Sequence, residues 1–411
     1  MAPSAPADKA AVDALNAQLD SALVVIQQFS AFVKGVFAEA AKLKSVQTAE
    51  ATPASSGSTK WEPATEIDAL ALARDAATLS RAHGTKISLL IINEPFTPSA
   101  IGTVVRELVS GPVPALAKAA EVCYADRYTH HVRQELARRC GSVLDQMHQL
   151  FMAIPRDGRV VPESERRGGV SKVNKAQSDR GSYAKIGILW AECDALVAFA
   201  NRGVGGHFVQ VVNEVADMLK DEQEELKEWG DEEDDDDDDD DDVDDSGYDD
   251  GEEDDDPTDT GGNSHNATQA ILDAMMSTRH IPPDDPEGLR PRLDSAVKKI
   301  RLVVLLCRAV VKRRLNKLPS SLPTKTPSDI APRLDGSIVA LKTISDRFED
   351  LAAAFYKLSV VEVDAAMGEC FAAAVSASAQ LRRPWTGDAD AKDEFTDWVA
   401  KFQTEMKVTA L

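Results

Sequence analysis

An acidic run divides this chain of 411 residues and limits what it can fold into. Residues 231–256 hold 21 aspartates and glutamates and no lysine or arginine. Such a segment cannot bury enough apolar surface to offset the entropy lost on ordering, so we expect it to be disordered. The predicted organisation is an N-terminal helical bundle over residues 8–229, an acidic linker over 230–264 and a C-terminal helical bundle over 265–411.

The net charge of −23 is a property of this run rather than of the folded parts. The rest of the chain contains 48 of the 69 acidic residues and all 46 lysines and arginines, so it is nearly neutral. A mobile segment with this charge repels nucleic acid and attracts basic proteins. We therefore expect no direct nucleic-acid binding, and Asp234, Asp238 and Asp242 are candidate contacts for a basic partner.

Apolar stripes with helical spacing run along both flanking parts. In the first stripe the steps alternate between four and three residues: Leu15, Leu19, Ala22, Ile26, Phe29, Val33, Val36, Ala40 and Leu43. Comparable stripes cover residues 132–154, 289–315 and 330–355. A second helix is expected to begin near Pro63, because proline suits the first turn of a helix. The glycines at 203–206 should separate two further helices. Long helices with one apolar face need neighbours, which predicts an all-α chain of two up-and-down bundles, with about six helices before the acidic run and four or five after it.

The motifs of the chain predict no catalytic, cofactor or metal site. Residues 242–253 match the ligand positions of an EF-hand, but a run this acidic matches by chance, and weak, nonspecific association with divalent cations is the preferred interpretation. His130 and His131 are adjacent, so on a helix they point apart and cannot share a metal, and a role at the surface or in interhelical packing is expected of them. The five cysteines lie far apart in apolar segments and are expected as buried free thiols.

A short basic cluster at Lys312, Arg313 and Arg314 has two interpretations. It is either a docking patch or nuclear import signal, or a favourable placement of cations at a helix C-terminus. The chain shows neither a secretory leader nor an uninterrupted apolar run of about 20 residues, so we expect no membrane association. The expected location is the nucleus and the cytoplasm.

Four segments resemble the cyclin-D-binding protein family, also described as Grap- and cyclin-D-interacting: residues 71–80 (ALARDAATLS), 189–199 (LWAECDALVAF), 292–304 (RLDSAVKKIRLVV) and 338–356. The resemblance implies a helical-bundle protein similar to the five-helix bundles of talin and vinculin. It also implies binding to cyclin D and to helix-loop-helix transcription factors, with a negative regulatory effect on proliferation or transcription.

Three functions therefore stand as hypotheses, none of them enzymatic. The first is a regulator that binds helical proteins through an exposed bundle face. The second is an acidic chaperone for histones or other basic proteins, acting through residues 231–256. The third is a cytoskeletal scaffold, which rests only on the analogy between helical bundles.

Overall fold

The computed structural model describes residues 8–46, 67–166, 182–231, 280–282, 284–318, 330–385 and 392–407. Every regular element within these ranges is helical, which confirms the predicted all-α class. The α-helices are α1 Lys9–Val46, α2 Ala69–Ile92, α3 Pro98–Ser110, α4 Pro112–Val122, α5 Ala125–Tyr128, α6 His130–Met152, α7 Glu163–Arg166, α8 Ser182–Asp231, α9 Leu289–Arg313, α10 Ile330–Tyr356, α11 Val360–Leu381 and α12 Glu394–Lys407.

These helices belong to two compact units. Unit 1 comprises Met1–Val211 and Lys312–Ile338, and unit 2 comprises Val212–Val311 and Val339–Leu411. Each unit includes segments from both sides of the acidic run, an arrangement that no local sequence pattern predicts. Apart from its first two residues, the predicted linker at 230–264 lies outside the described residues, and the division into two separate bundles stays a prediction.

Helix α1 provides the longest apolar seam of unit 1 and packs against α3, α4 and α6. The predicted seam is confirmed over most of its length, since Leu15, Leu19, Ile26 and Val33 are buried. Phe29 is only half-buried, and the side chain of Leu43 lies outside the described residues. By length and composition alone, residues Lys9–Ala41 could cross a membrane, but the core helix of a bundle can have the same length and composition. In the structure, helices α3, α4 and α6 cover the apolar seam of α1.

The helix starts follow local capping chemistry. Helix α2 begins at Ala69, six residues later than predicted from Pro63, because the Asp68 carboxylate accepts the backbone N–H groups of Leu70 and Ala71 at 2.9 and 3.1 Å. Helices α3 and α4 each begin with a proline, and Gly111 separates them.

The chain after α6 is less mobile than its composition suggests. Residues 155–181 are polar and contain glycine, which predicts a long mobile loop, yet the Val161 N–H donates to the Ile91 carbonyl at 2.8 Å. The Arg166 guanidinium donates to the carbonyls of Val161 and Ile92, both at 2.8 Å. Residues 155–166 are therefore tied to the end of α2, and residues 167–181 lie outside the described residues.

Helix α8 bends at Gly203, whose φ of 65° and ψ of −173° are not helical. An L-residue rarely adopts this conformation, so glycine suits the position. The predicted separation of two helical arms by glycine is confirmed.

In unit 2 the buried side chain of Lys299 organises three helices. It lies on α9, donates to the Glu405 carbonyl on α12, and its ammonium is 5.6 Å from the centroid of the Phe371 ring on α11. Burial lowers the pKa of Lys299, because removing the ammonium from water disfavours its charged form.

Candidate interaction surfaces

The acidic candidates Asp234, Asp238 and Asp242 lie outside the described residues, as do the EF-hand positions at 242–253. Their predicted role in binding a basic partner therefore stays a prediction. Among the residues that the structure describes, no group of three or more histidines, cysteines and acids could hold a metal ion.

The basic cluster at the end of α9 is split by burial. Lys312 is exposed and Arg313 is partly exposed, so both remain candidate contacts. Arg314 is only 2% exposed and cannot contact a partner, which corrects its assignment as a binding residue. The helix ends at Arg313, and a 3-10 turn over Leu315–Lys317 follows. The sequence of the basic cluster does not by itself predict this end of the helix.

Two histidines from different helices meet inside unit 1. Nδ1 of His131 and Nε2 of His207 are 2.9 Å apart, so one ring donates to the other. The His207 ring also lies edge-on to Phe199 at 5.2 Å, and the Arg139 guanidinium is 5.2 Å from the Phe199 ring centroid. Interhelical packing was one of the two roles expected of His131 and is confirmed; the contribution of His207 was not anticipated.

The five cysteines are free and buried, as expected. Burial raises the pKa of each thiol, to about 12 for Cys140, Cys193, Cys307 and Cys370, because a thiolate loses its hydration in an apolar interior. None of these five thiols therefore has the lowered pKa of a reactive nucleophile.

One broad groove of about 590 Å³ runs over α6 between α1 and α8 in unit 1. We call it the lysine-rimmed groove, and it is defined by Gln27, Ala31 and Lys34 of α1, Asp145, His148 and Gln149 of α6, and Lys185 and Ile188 of α8. The Asp145 carboxylate accepts hydrogen bonds from Ser30 Oγ at 2.7 Å and Lys34 Nζ at 3.1 Å. The described lining thus carries two lysines, one acid and both polar and apolar side chains.

A second groove, of about 540 Å³, lies on the other side of α1. We call it the Phe32 groove, and it is lined by Gln28, Phe29, Phe32, Pro114, Ala117, Lys118 and Glu121. Phe32 is 46% exposed and Val24, two turns earlier on α1, is 52% exposed. The heptad spacing of α1 predicts a single apolar seam and does not predict this second apolar face.

One family model matches part of unit 1 and continues along α8. A search of curated proteins found no match to the chain. The matched family model begins within α2 and ends just after α8, so it includes the floor and one wall of the lysine-rimmed groove but not α1. Residues 73–232 match the family model described as Grap2 and cyclin-D-interacting, N-terminal, which confirms the resemblance found at the start of α2 and at 189–199; the segments 292–304 and 338–356 lie outside the match.

Proposed function

We propose that this protein is a non-enzymatic regulator that binds D-type cyclins and helix-loop-helix transcription factors and thereby restrains cell-cycle progression or transcription. The observation that carries the proposal is the family match over residues 73–232, since the family is described by its interaction with Grap2 and cyclin D. The partners and the regulatory effect are proposals for this chain.

The surface of unit 1 supports a role in protein binding. Two grooves flank α1, and exposed apolar side chains such as Val24 and Phe32 lie on the same helix. Grooves between helices commonly receive an amphipathic helix from a partner. This mode of binding suits partners that are themselves helical, as the proposed ones are.

We also propose that the protein acts in the nucleus and the cytoplasm. The exposed Lys312 and the partly exposed Arg313 are the candidate contacts for an import receptor. Imaging a fluorescent fusion before and after Lys312→Ala tests this: loss of nuclear signal supports import through the cluster, and an unchanged distribution contradicts it.

Co-precipitation tests the binding proposal. The tagged full chain is incubated with purified D-type cyclins, helix-loop-helix factors and an unrelated helical protein of similar size as control. Enrichment of a cyclin or a helix-loop-helix factor over the control supports the proposal. Equal recovery of all three classes contradicts it.

An acidic chaperone is the second candidate, favoured by the 21 acids of residues 231–256. Binding of histones by this run should weaken steeply with salt, because the attraction is long-range and screened. Histone binding by the full chain is compared with binding by a chain that lacks residues 231–256. Unchanged affinity after the deletion contradicts the chaperone function.

A further inference from the structure

We propose that the lysine-rimmed groove is the docking site for an amphipathic helix of a partner protein, and that this helix carries carboxylates along its edges. The proposal rests on the proposed function in one respect only, namely that the protein works by binding other proteins. It adds the place of binding and the chemistry that the partner must present.

The groove has the form of a helix-binding channel. Gln27 of α1 hydrogen-bonds His148 of α6 at 3.0 Å, and Ser30, one turn later on α1, hydrogen-bonds Asp145, one turn earlier on α6. Helices α1 and α6 are therefore antiparallel, with α6 as the floor. The side chains of Lys185 and Ile188 form the opposite wall from α8. An incoming helix can lie along α6 between the two walls.

The charge of the groove selects an acidic partner. Lys34 and Lys185 face it from opposite walls, and Asp145 is the acid among the described lining residues. Asp145 already accepts hydrogen bonds from Ser30 and Lys34, so its charge is compensated within the protein. Lys185 forms no ion pair with any residue that the structure describes. Asp145 offsets one of the two lysines, so the described lining has a net charge of +1, and a helix with carboxylates that face Lys34 and Lys185 would match it.

The middle of the groove favours a helix over a small anion. Ala31, one turn before Lys34 on α1, and Ile188, one turn after Lys185 on α8, line the groove and offer apolar contact, and the short side chain of Ala31 allows close approach. A small anion would leave this surface wet, whereas a helix can bury it with small apolar residues. A partner with carboxylates at its edges and alanine or leucine between them fits both features.

Two fluorescent peptides test the assignment on the full chain. Each has about 18 residues, or about five turns of helix, with the same alanine and leucine face, and its edges carry glutamate in one peptide and lysine in the other. The variant Lys34→Gln/Lys185→Gln removes both rim charges without placing a new charge. The control Lys9→Gln/Lys86→Gln removes two exposed lysines of unit 1 that line neither groove.

We expect the glutamate peptide to bind and the lysine peptide not to bind, as measured by fluorescence anisotropy. The groove variant should weaken binding of the glutamate peptide about 10-fold, and the control variant by less than about twofold. Circular dichroism of both variants checks that the helical content is unchanged. Equal binding of the two peptides, or no binding of the glutamate peptide up to about 1 mM, would overturn the proposal.

Deletion of residues 232–256 tests whether the acidic run of the same chain competes with the peptide for the groove. Unchanged affinity for the glutamate peptide supports a partner helix as the occupant. A large gain in affinity would mean that the acidic run of this chain fills the groove, which overturns the assignment to a partner.

The groove and the proposed function can fail separately. In one case the groove variant loses the peptide but still binds a D-type cyclin like the unmodified chain. The cyclin then does not dock in this groove, so the groove proposal is overturned for the cyclin while the proposed function stands. If the peptide experiment succeeds and neither cyclins nor helix-loop-helix factors bind, the groove stands and the proposed function fails.

Discussion

The carboxylate of Asp335 accepts the backbone N–H of His130 at 2.7 Å, across 205 positions of sequence. It also accepts the N–H of His131 at 3.0 Å, so an acid on α10 caps the first turn of α6. These residues lie on opposite sides of the acidic run. Unit 1 is therefore completed by a segment that follows the run.

Substitution of Asp335 should destabilise unit 1. Asp335→Ala leaves two N–H groups without their acceptor in a buried position, which should cost about 3 kcal/mol of unfolding free energy. Urea denaturation measures the loss. Asp346→Ala removes an exposed acid from the same helix and should change stability by less than about 0.5 kcal/mol. Equal effects of the two substitutions would contradict the capping role.

Cleavage within the acidic run should leave the two pieces associated. Since residues 312–338 belong to unit 1, the piece after the cut holds part of the packing of the piece before it. A protease site introduced near Gly251 allows the cut, and size-exclusion chromatography without denaturant follows the products. Co-elution of both pieces is expected. Separate elution would instead favour the two independent bundles, 8–229 and 265–411, that the sequence predicts.

Two glycines of α8 should respond to alanine in opposite directions. At Gly203 the backbone has a φ of 65°, so Gly203→Ala introduces strain of about 2 kcal/mol although a Cβ would meet no atom within 4 Å. Gly187 also has open space around it but lies in the regular helix, so Gly187→Ala should stabilise by about 0.5 to 1 kcal/mol. Thermal unfolding measures the change in stability of both variants. A change of the same sign in the two variants would contradict the bend at Gly203.

Glu222 in unit 2 should make stability depend on pH. Its pKa is raised to about 7, first by burial and then by the negative charges of Glu225 and Glu349. The folded state therefore holds a proton that the unfolded state releases near its ordinary pKa of 4.5. The contribution of Glu222 to the free energy of unfolding is therefore fully present below pH 4.5 and is lost as the pH rises through about 7.

The variant Glu222→Gln tests this dependence because glutamine stays neutral at every pH. We expect little change in unfolding free energy near pH 4, and near pH 8 a gain of about 1 kcal/mol, a figure reduced for the partial exposure of the side chain. The control Glu224→Gln changes an exposed acid of the same turn. A gain that does not grow with pH would contradict the raised pKa.

Features set by local sequence were predictable. The apolar stripe of α6 appears in the structure as buried Val132, Leu136, Cys140 and Val143, because helical period alone places these side chains on one face. The break at Gly111 likewise follows from the residue types at that point.

Features set by distant contacts were not predictable. Arg314 belongs to a basic cluster in sequence, but the chain turns its side chain inward after α9. The capping of α6 by Asp335 and the contact between His131 and His207 join residues that no periodic pattern links. The lysine-rimmed groove depends on three helices at once, so neither Lys34 nor Lys185 stood out in the sequence.

Titration of a purified D-type cyclin into the full chain, and into a chain that lacks residues 232–256, tests the central claim most directly. Calorimetry gives the affinity in each case. If the helical units hold the specificity, both chains bind the cyclin with affinities within about twofold of each other. No binding by the full chain, or binding that disappears when the acidic run is removed, would contradict the account.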